Sequence, residues 1–251
     1  MTLRIRDHFD KSGAEGILLG IDGELNSSVT ALLCSRAIKG LNIHAIYLMD
    51  RERHSQANLR DINRVSKIGR FNLSVVEITP LNRNVLKGLP HIRPGTPRRG
   101  APAEKAVSEN LVARIRMVAL YYYADYYRYL VCGNCDKSEW LLGHFTKWGD
   151  GSADILPLAS LYKTQVSMVA RALKIGFIAK KPPSTRLWME ESLLTELPIL
   201  HEDLDLILLG IEKGWDDEEI AKDLDLDLGI VRNVRGIVEK NWHKRHGPIL
   251  I

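Results

Sequence analysis

Gly16-Ile17-Leu18-Leu19-Gly20-Ile21-Asp22-Gly23-Glu24-Leu25-Asn26-Ser27-Ser28-Val29-Thr30-Ala31-Leu32-Leu33 is the stretch around which this chain is organised. The apolar run Ile17 to Ile21 predicts a buried strand, and Ser27 to Ile38 has helical periodicity after a short polar turn. A strand, a tight loop and a helix N-terminus form an anion site, because free backbone N–H groups and the helix dipole both favour negative charge there. Gly20, Ile21, Gly23 and Ser27 give the turn that shape. Asp22 and Glu24 place two negative charges where a phosphate would sit.

Outward from this stretch, strands and helices alternate. Leu41 to Leu48 predicts a second strand, Arg51 to Ile68 a helix and Phe71 to Ile78 a third strand. That alternation predicts a doubly wound α/β fold, a mostly parallel sheet with helices on both faces and a helical C-terminus. Thr79 to Ala103 holds five prolines and the pair Arg98-Arg99, and predicts a mobile loop, either a surface excursion or a substrate lid. A helix follows from Ala106 to Tyr127, carrying Tyr121, Tyr122, Tyr123, Tyr126 and Tyr127 on more than one face. Tyrosine suits partly wet interfaces, so burial against a second subunit is expected. Tyr129 to Cys132 predicts a strand, Asp136 to Leu142 a short helix, His144 to Pro157 a polar loop and Leu161 to Leu173 a helix. Lys181-Pro182-Pro183-Ser184 stops regular structure. Short acidic helices are expected from Asp203, then a helix from Leu228 to His243.

Composition narrows the class. The 251 residues are 45% hydrophobic and 26% charged, ordinary for a globular protein, and fit a single domain over 1–251. No apolar run approaches the ~18 residues of a membrane span, and no signal peptide pattern opens the chain. Three cysteines are too few for a disulfide framework, which predicts a cytoplasmic setting. The net charge of +4 suits phosphate-bearing small molecules and does not indicate a nucleic-acid partner. Asp216 to Asn241 mimics a helix-turn-helix, but Asp223, Asp225 and Asp227 would face phosphate, so DNA binding is discounted.

The chemistry concentrates in Gly133-Asn-Cys-Asp-Lys-Ser-Glu139 and Thr146-Lys-Trp-Gly-Asp-Gly-Ser-Ala-Asp154. Glu139 lies on a helix that begins just after a strand end, the crevice position of open α/β sheets. Lys147, Asp150 and Asp154 bring both signs of charge to a glycine-marked loop, and Lys163 opens the next helix. Cys132 and Cys135 form a Cys-x-x-Cys spacing, either a redox or metal half-site or a buried strand cysteine beside an incidental one.

These stretches, with Ala113-Arg-Ile-Arg-Met117, Leu161-Tyr-Lys-Thr-Gln165, Pro183-Ser184 and His243-Lys-Arg245, resemble the ammonia-dependent NAD synthetases of the PP-loop adenine nucleotide α-hydrolase superfamily. The resemblance runs through nearly the whole chain. It implies a homodimer that uses ATP and Mg2+ to activate the carboxylate of deamido-NAD as an adenylate, which ammonia converts to the amide. It further implies that Arg114, Lys147, Asp154, His243 and Lys244 bind deamido-NAD. Gly20, Ile21, Gly23, Ser27, Asn134, Lys163 and Ser184 would hold ATP, with Glu139 and Asn26 toward the metal.

The chain departs from the family pattern in the opening loop. Gly-hydrophobic-Ser-Gly-Gly-x-Asp-Ser becomes Gly20-Ile21-Asp22-Gly23-Glu24-Leu25-Asn26-Ser27. Asp22 replaces a hydroxyl donor, Glu24 replaces a glycine, and Asn26 replaces the carboxylate that binds magnesium. Like charges ~4 Å apart repel by about 4 kcal/mol at an effective dielectric of 20, so Asp22 and Glu24 are expected to weaken triphosphate binding. Asn134 stands for the family threonine, and Leu193-Leu194 for an acidic pair. Three readings are therefore open: an active NAD synthetase, a weakened or inactive relative that binds a pyridine dinucleotide or a similar ligand in a regulatory or partner role, and the same activation chemistry on a different carboxylate.

Overall fold

The computed structural model describes residues 1–38, 42–51, 55–89, 101–179 and 199–248, with the backbone alone at 101–104. Helix α1 (Thr2–Ser12) precedes β1 (Gly16–Gly20), α2 (Leu25–Ile38), β2 (Ile43–Met49), α3 (Gln56–Gly69), β3 (Asn72–Glu77), α4 (Thr79–Gly88) and α5 (Ala101–Tyr127). Then come β4 (Tyr129–Cys132), α6 (Lys137–Leu142), a 3-10 turn (Pro157–Ser160), α7 (Lys163–Ala172) and α8 (Gly176–Ala179). The C-terminal part holds α9 (His201–Glu212), α10 (Asp217–Leu224), α11 (Leu228–Lys240) and a terminal 3-10 turn (Trp242–Arg245).

The four strands form one parallel sheet in the order β3-β2-β1-β4, bearing out the expected α/β architecture. Leu18 of β1 lies between His44 and Val131 in register. Period-two alternation sends Ile17 and Leu19 to one face and Leu18 to the other. Ile17 and Leu19 join a core with α2 and α7, including Val29, Leu32, Cys34 and Val166. Leu18, Ile46 and Val131 pack against Met117, Leu120 and Ala124 of α5. Both faces are covered, which is why β1 reads as an unbroken apolar run rather than an alternating one. A third cluster joins α9, α10 and α11 to Leu142 and Tyr162.

One expectation is corrected. The proline-rich stretch from Thr79 is not loop throughout: Thr79–Gly88 is helix with Pro80 in its first turn, and α5 begins at Ala101. Proline fits there because the first-turn N–H has no helical partner and φ is already helical. The entry is anchored by Arg51 N, which donates to Thr79 Oγ1 at 2.9 Å, and by Asn82 Nδ2, which donates to Asp50 Oδ2 at 3.1 Å. Arg98-Arg99, Lys181 to Ser184 and Leu193-Leu194 lie outside the described residues. No helix among the described residues is long and apolar enough to cross a membrane.

Candidate functional site

Strand order reverses at β1. The chain adds β2 and β3 on one side and β4 on the other, so the loops leaving β1 and β4 diverge and open a crevice, where sheets of this kind bind ligands. Asn134 spans it, donating from Nδ2 to Gly20 O at 2.8 Å, while its Oδ1 is buried without a hydrogen-bond partner among the described residues.

The loop after β1 turns from strand into the start of α2 and engages its own donors. Asp22 Oδ1 accepts from Ser27 Oγ at 2.5 Å and from Glu24 N at 3.0 Å, closing the entry to α2. Glu24 Oε1 accepts from Asn58 Nδ2 of α3 at 3.0 Å. The left-handed residue is Gly23, at φ +82°, so Glu24 carries no such demand. A Cβ on Gly23 would also lie 2.8 Å from Asn58 O. Gly23→Ala is expected to cost about 1–2 kcal/mol from the left-handed conformation, and more if the α3 backbone cannot retreat. Urea unfolding would check this, as a lower midpoint at unchanged slope.

Across the crevice, four side chains form one network. Lys163 Nζ lies 2.8 Å from Asp136 Oδ2, 2.8 Å from Glu139 Oε1 and 3.2 Å from Asn26 Oδ1. Asn26 Nδ2 donates to Asp136 Oδ2 and to Glu139 Oε2, both at 2.9 Å. The local sequence explains the placement. Asp136 caps α6, its Oδ1 accepting from Glu139 N at 2.9 Å, and Glu139 Oε2 returns a bond to Asp136 N at 3.2 Å. That reciprocal box fixes both carboxylates at a helix start. Lys163 begins α7, whose N-terminus is held by buried Asp205 of α9. Asp205 accepts from Ser138 Oγ at 2.5 Å and Thr164 N at 2.8 Å, and Ser138 Oγ in turn accepts from Lys163 N at 3.0 Å.

Burial, and then Asp136, push the Glu139 carboxyl up, against the pull of Lys163. Burial alone would lower the Lys163 ammonium. Glu139 and Asp136 outweigh it and hold the ammonium above its usual range. No three His, Cys, Asp or Glu side chains gather at a metal site among the described residues. The set here is two carboxylates and an amide oxygen converging on one positive charge. That fits a hard divalent ion brought with a nucleotide, which takes one or two carboxylates and completes its shell with phosphate and water.

The residues expected at the dinucleotide divide into two groups. Lys147 Nζ donates to His243 O at 2.6 Å, Arg114 Nε donates to Lys147 O at 3.2 Å and Lys244 Nζ donates to Gly143 O at 2.8 Å. Arg114, Lys147, His243 and Lys244 are thus gathered from α5, the loop after α6 and the terminal turn. Asp154 instead accepts from Val131 N at 2.7 Å and Tyr121 OH at 3.1 Å. Burial, then Asp154, push the Tyr121 phenol up to about 12. Ser184 lies outside the described residues.

Cys132 has a neighbour that its Cys-x-x-Cys spacing does not show. Its Sγ lies 3.6 Å from Cys34 of α2, both thiols are buried, and burial followed by Cys34 pushes the Cys132 thiol up. Burial likewise raises Cys135. Raised thiols are poor nucleophiles and ligands, which favours the buried-cysteine reading.

Asp150 gives the loop a pH response. Burial pushes its carboxyl from 3.8 to about 7, against a bond from Thr146 N at 2.9 Å. A carboxyl raised on folding contributes stability that is complete below its unfolded pKa and is lost as pH rises through the folded value. Relative to Asp150→Asn, the protein is therefore expected to lose about 2 kcal/mol between pH 5 and 8, allowing for partial exposure. Parallel denaturant titrations at the two pH values would measure it.

A family model described as NAD synthase matches residues 1–248. A Sulfolobus acidocaldarius protein named NH(3)-dependent NAD(+) synthetase is 35% identical, over 99% of this chain and 86% of its own length. One of that name from Methanocaldococcus jannaschii is 34% identical, over 99% of this chain and 93% of its own. Among solved structures, the NH3-dependent NAD synthetase of Campylobacter jejuni is 26% identical, with a TM-score of 0.76 over 100% of this chain and 95% of that one. The NMN synthetase of Francisella tularensis shares the fold, with a TM-score of 0.79 at 24% identity.

Proposed function

The chain belongs to the NAD synthase family, and we propose on that footing that it is an NH3-dependent NAD+ synthetase, a carbon–nitrogen ligase. The observation that carries the reading is the near full-length likeness to proteins of that name, on a chain whose strand-order crevice gathers Lys163, Glu139, Asp136 and Asn26.

The chemistry needs two anions brought together. A carboxylate is a poor electrophile until one oxygen becomes part of a leaving group. The nicotinate carboxylate of deamido-NAD attacks the α-phosphate of ATP, giving an adenylate and pyrophosphate. Ammonia then adds at the activated carbon, a proton is lost, and AMP departs to leave the amide. Gly20, Ile21, Gly23 and Ser27 present backbone and hydroxyl groups to the triphosphate, with Asn134, Ser184 and the Lys163 ammonium. Glu139, with the Asn26 amide beside it, would face Mg2+, which when bound would supply charge neutralisation toward the phosphates. Arg114, Lys147, His243 and Lys244 supply the basic side for deamido-NAD, with Asp154.

Val118, Tyr122 and Tyr126 are 68%, 64% and 73% exposed on α5, at four-residue spacing along one helix side. A second copy of the chain covers this stripe in our reading. Tyr122→Glu is expected to shift the protein to monomer in sedimentation experiments.

The reaction is tested with purified protein, deamido-NAD, ATP, Mg2+ and ammonium. AMP and NAD should appear in equal amounts and only when all four are present. Dinucleotide binding without AMP release would instead assign a binding role.

A further inference from the structure

We propose that Asp136 is the positioning carboxylate of the nucleotide site, carrying the charge that residue 26 lacks. The proposal rests on the nucleotide site assigned above and names a residue outside that assignment.

Asp136 and Asn26 are 110 residues apart in sequence, yet Asn26 Nδ2 donates to Asp136 Oδ2 at 2.9 Å. Asp136 is fully buried at 0% exposure and Asn26 nearly so at 8%. A buried carboxylate persists only when it is paired and hydrogen-bonded. Asp136 meets both conditions: Lys163 Nζ and Asn26 Nδ2 serve Oδ2, and Glu139 N serves Oδ1.

The same geometry explains why residue 26 is neutral. Asn26 is donor to two carboxylates and acceptor from one ammonium at the same time. An aspartate there would lose both donor bonds and set a third carboxylate beside the single Lys163 charge. The carboxylate pair offered to an incoming cation is thus Asp136 with Glu139, with Asn26 as its neutral brace. Lys163 holds that pair together until a nucleotide brings charge of its own. The site departs from its family pattern at position 26 without losing its carboxylate count.

A charge exchange tests this. Binding of manganous chloride with an ATP analogue carrying an α,β-methylene bridge is measured by electron paramagnetic resonance and calorimetry. The proteins are the wild type, Asn26→Asp, Asp136→Asn and the double variant, each checked by thermal melting. Asparagine is as good a helix cap as aspartate, so Asp136→Asn keeps the start of α6. Each single substitution should weaken binding by about tenfold or more, and the double variant should return to within about threefold of wild type, the coupling expected of residues in contact. A double variant no better than the weaker single overturns the proposal. So does tighter binding by Asn26→Asp alone, which leaves the cap untouched and keeps the test open if Asp136→Asn fails to fold. Absence of manganese–analogue binding by the wild type overturns it as well. Because the readout is binding, a wild type that releases no AMP but follows the expected cycle would sink the proposed reaction and leave this inference standing. A wild type that makes NAD while the cycle fails would do the reverse.

Discussion

Lys163→Met is expected to lower AMP formation by at least about a hundredfold and to cost about 3 kcal/mol of stability. The two effects share one cause. Lys163 Nζ is 2.8 Å from each of two carboxylates, and methionine keeps the stem while deleting the charge. Asp136 and Glu139 would then face each other in a buried site with Asn26 as their remaining shared donor, and Glu139, already pushed up by burial, would take up a proton. The stability loss is therefore pH-dependent. A carboxyl raised further in the folded state favours folding at low pH, so the variant should come closest to wild type near pH 4 and fall furthest behind above neutrality. Urea titrations across that range, beside an AMP assay, separate the electrostatic cause from simple loss of a phosphate contact. Equal destabilisation at all pH values would defeat the account.

Asp205→Ala is expected to cost about 3 kcal/mol, because it strips a buried charged acceptor from Ser138 Oγ and Thr164 N together. Asp205 is 5% exposed, so water would not replace those bonds freely. Its effect should extend to ATP. Ser138 Oγ also accepts from Lys163 N, so the start of α7, and with it the Lys163 ammonium, is set from α9. KM for ATP should rise while KM for deamido-NAD stays near its original value. Asp205→Asn, which keeps an acceptor for the hydroxyl, should lie between the two.

The sequence reveals much of the fold and less of the site. β1 and the turn after it are readable because burial on both faces leaves a continuous apolar run closed by glycine. The helix at Thr79–Gly88 is not, because Pro80 has opposite meanings inside a helix and in its first turn, and the deciding contacts to Asp50 and Arg51 are distant in sequence. Lys163 and Glu139 stand out by position, since each lies in the first turn of a helix at the crevice. Asp136 could have been found from the Asp-x-x-Glu spacing, a capping signature, although nothing local says that its other oxygen faces Asn26 and Lys163. Asp205 and the Cys34 neighbour of Cys132 carry no local signal; only folding brings them into place. Asp22 and Glu24 are legible as acidic residues in the turn, but their directions depend on Ser27 and Asn58, which take them up.

The strand order has a kinetic consequence. β1 lies between a neighbour that follows soon after it and one, β4, that arrives only after α5. Pairing with β2 closes a short loop, whereas pairing with β4 must bring distant segments together before any contact rewards it, which is slow. Asn26 and Asp136 meet only at that late step. A chain emerging from the ribosome would hold three of the sheet's four strands with no working crevice, and nucleotide could not act as a template for early folding. Its influence would fall on unfolding instead: a ligand bound only by the completed sheet stabilises the whole by RT ln(1 + [L]/Kd) and slows the departure of β4.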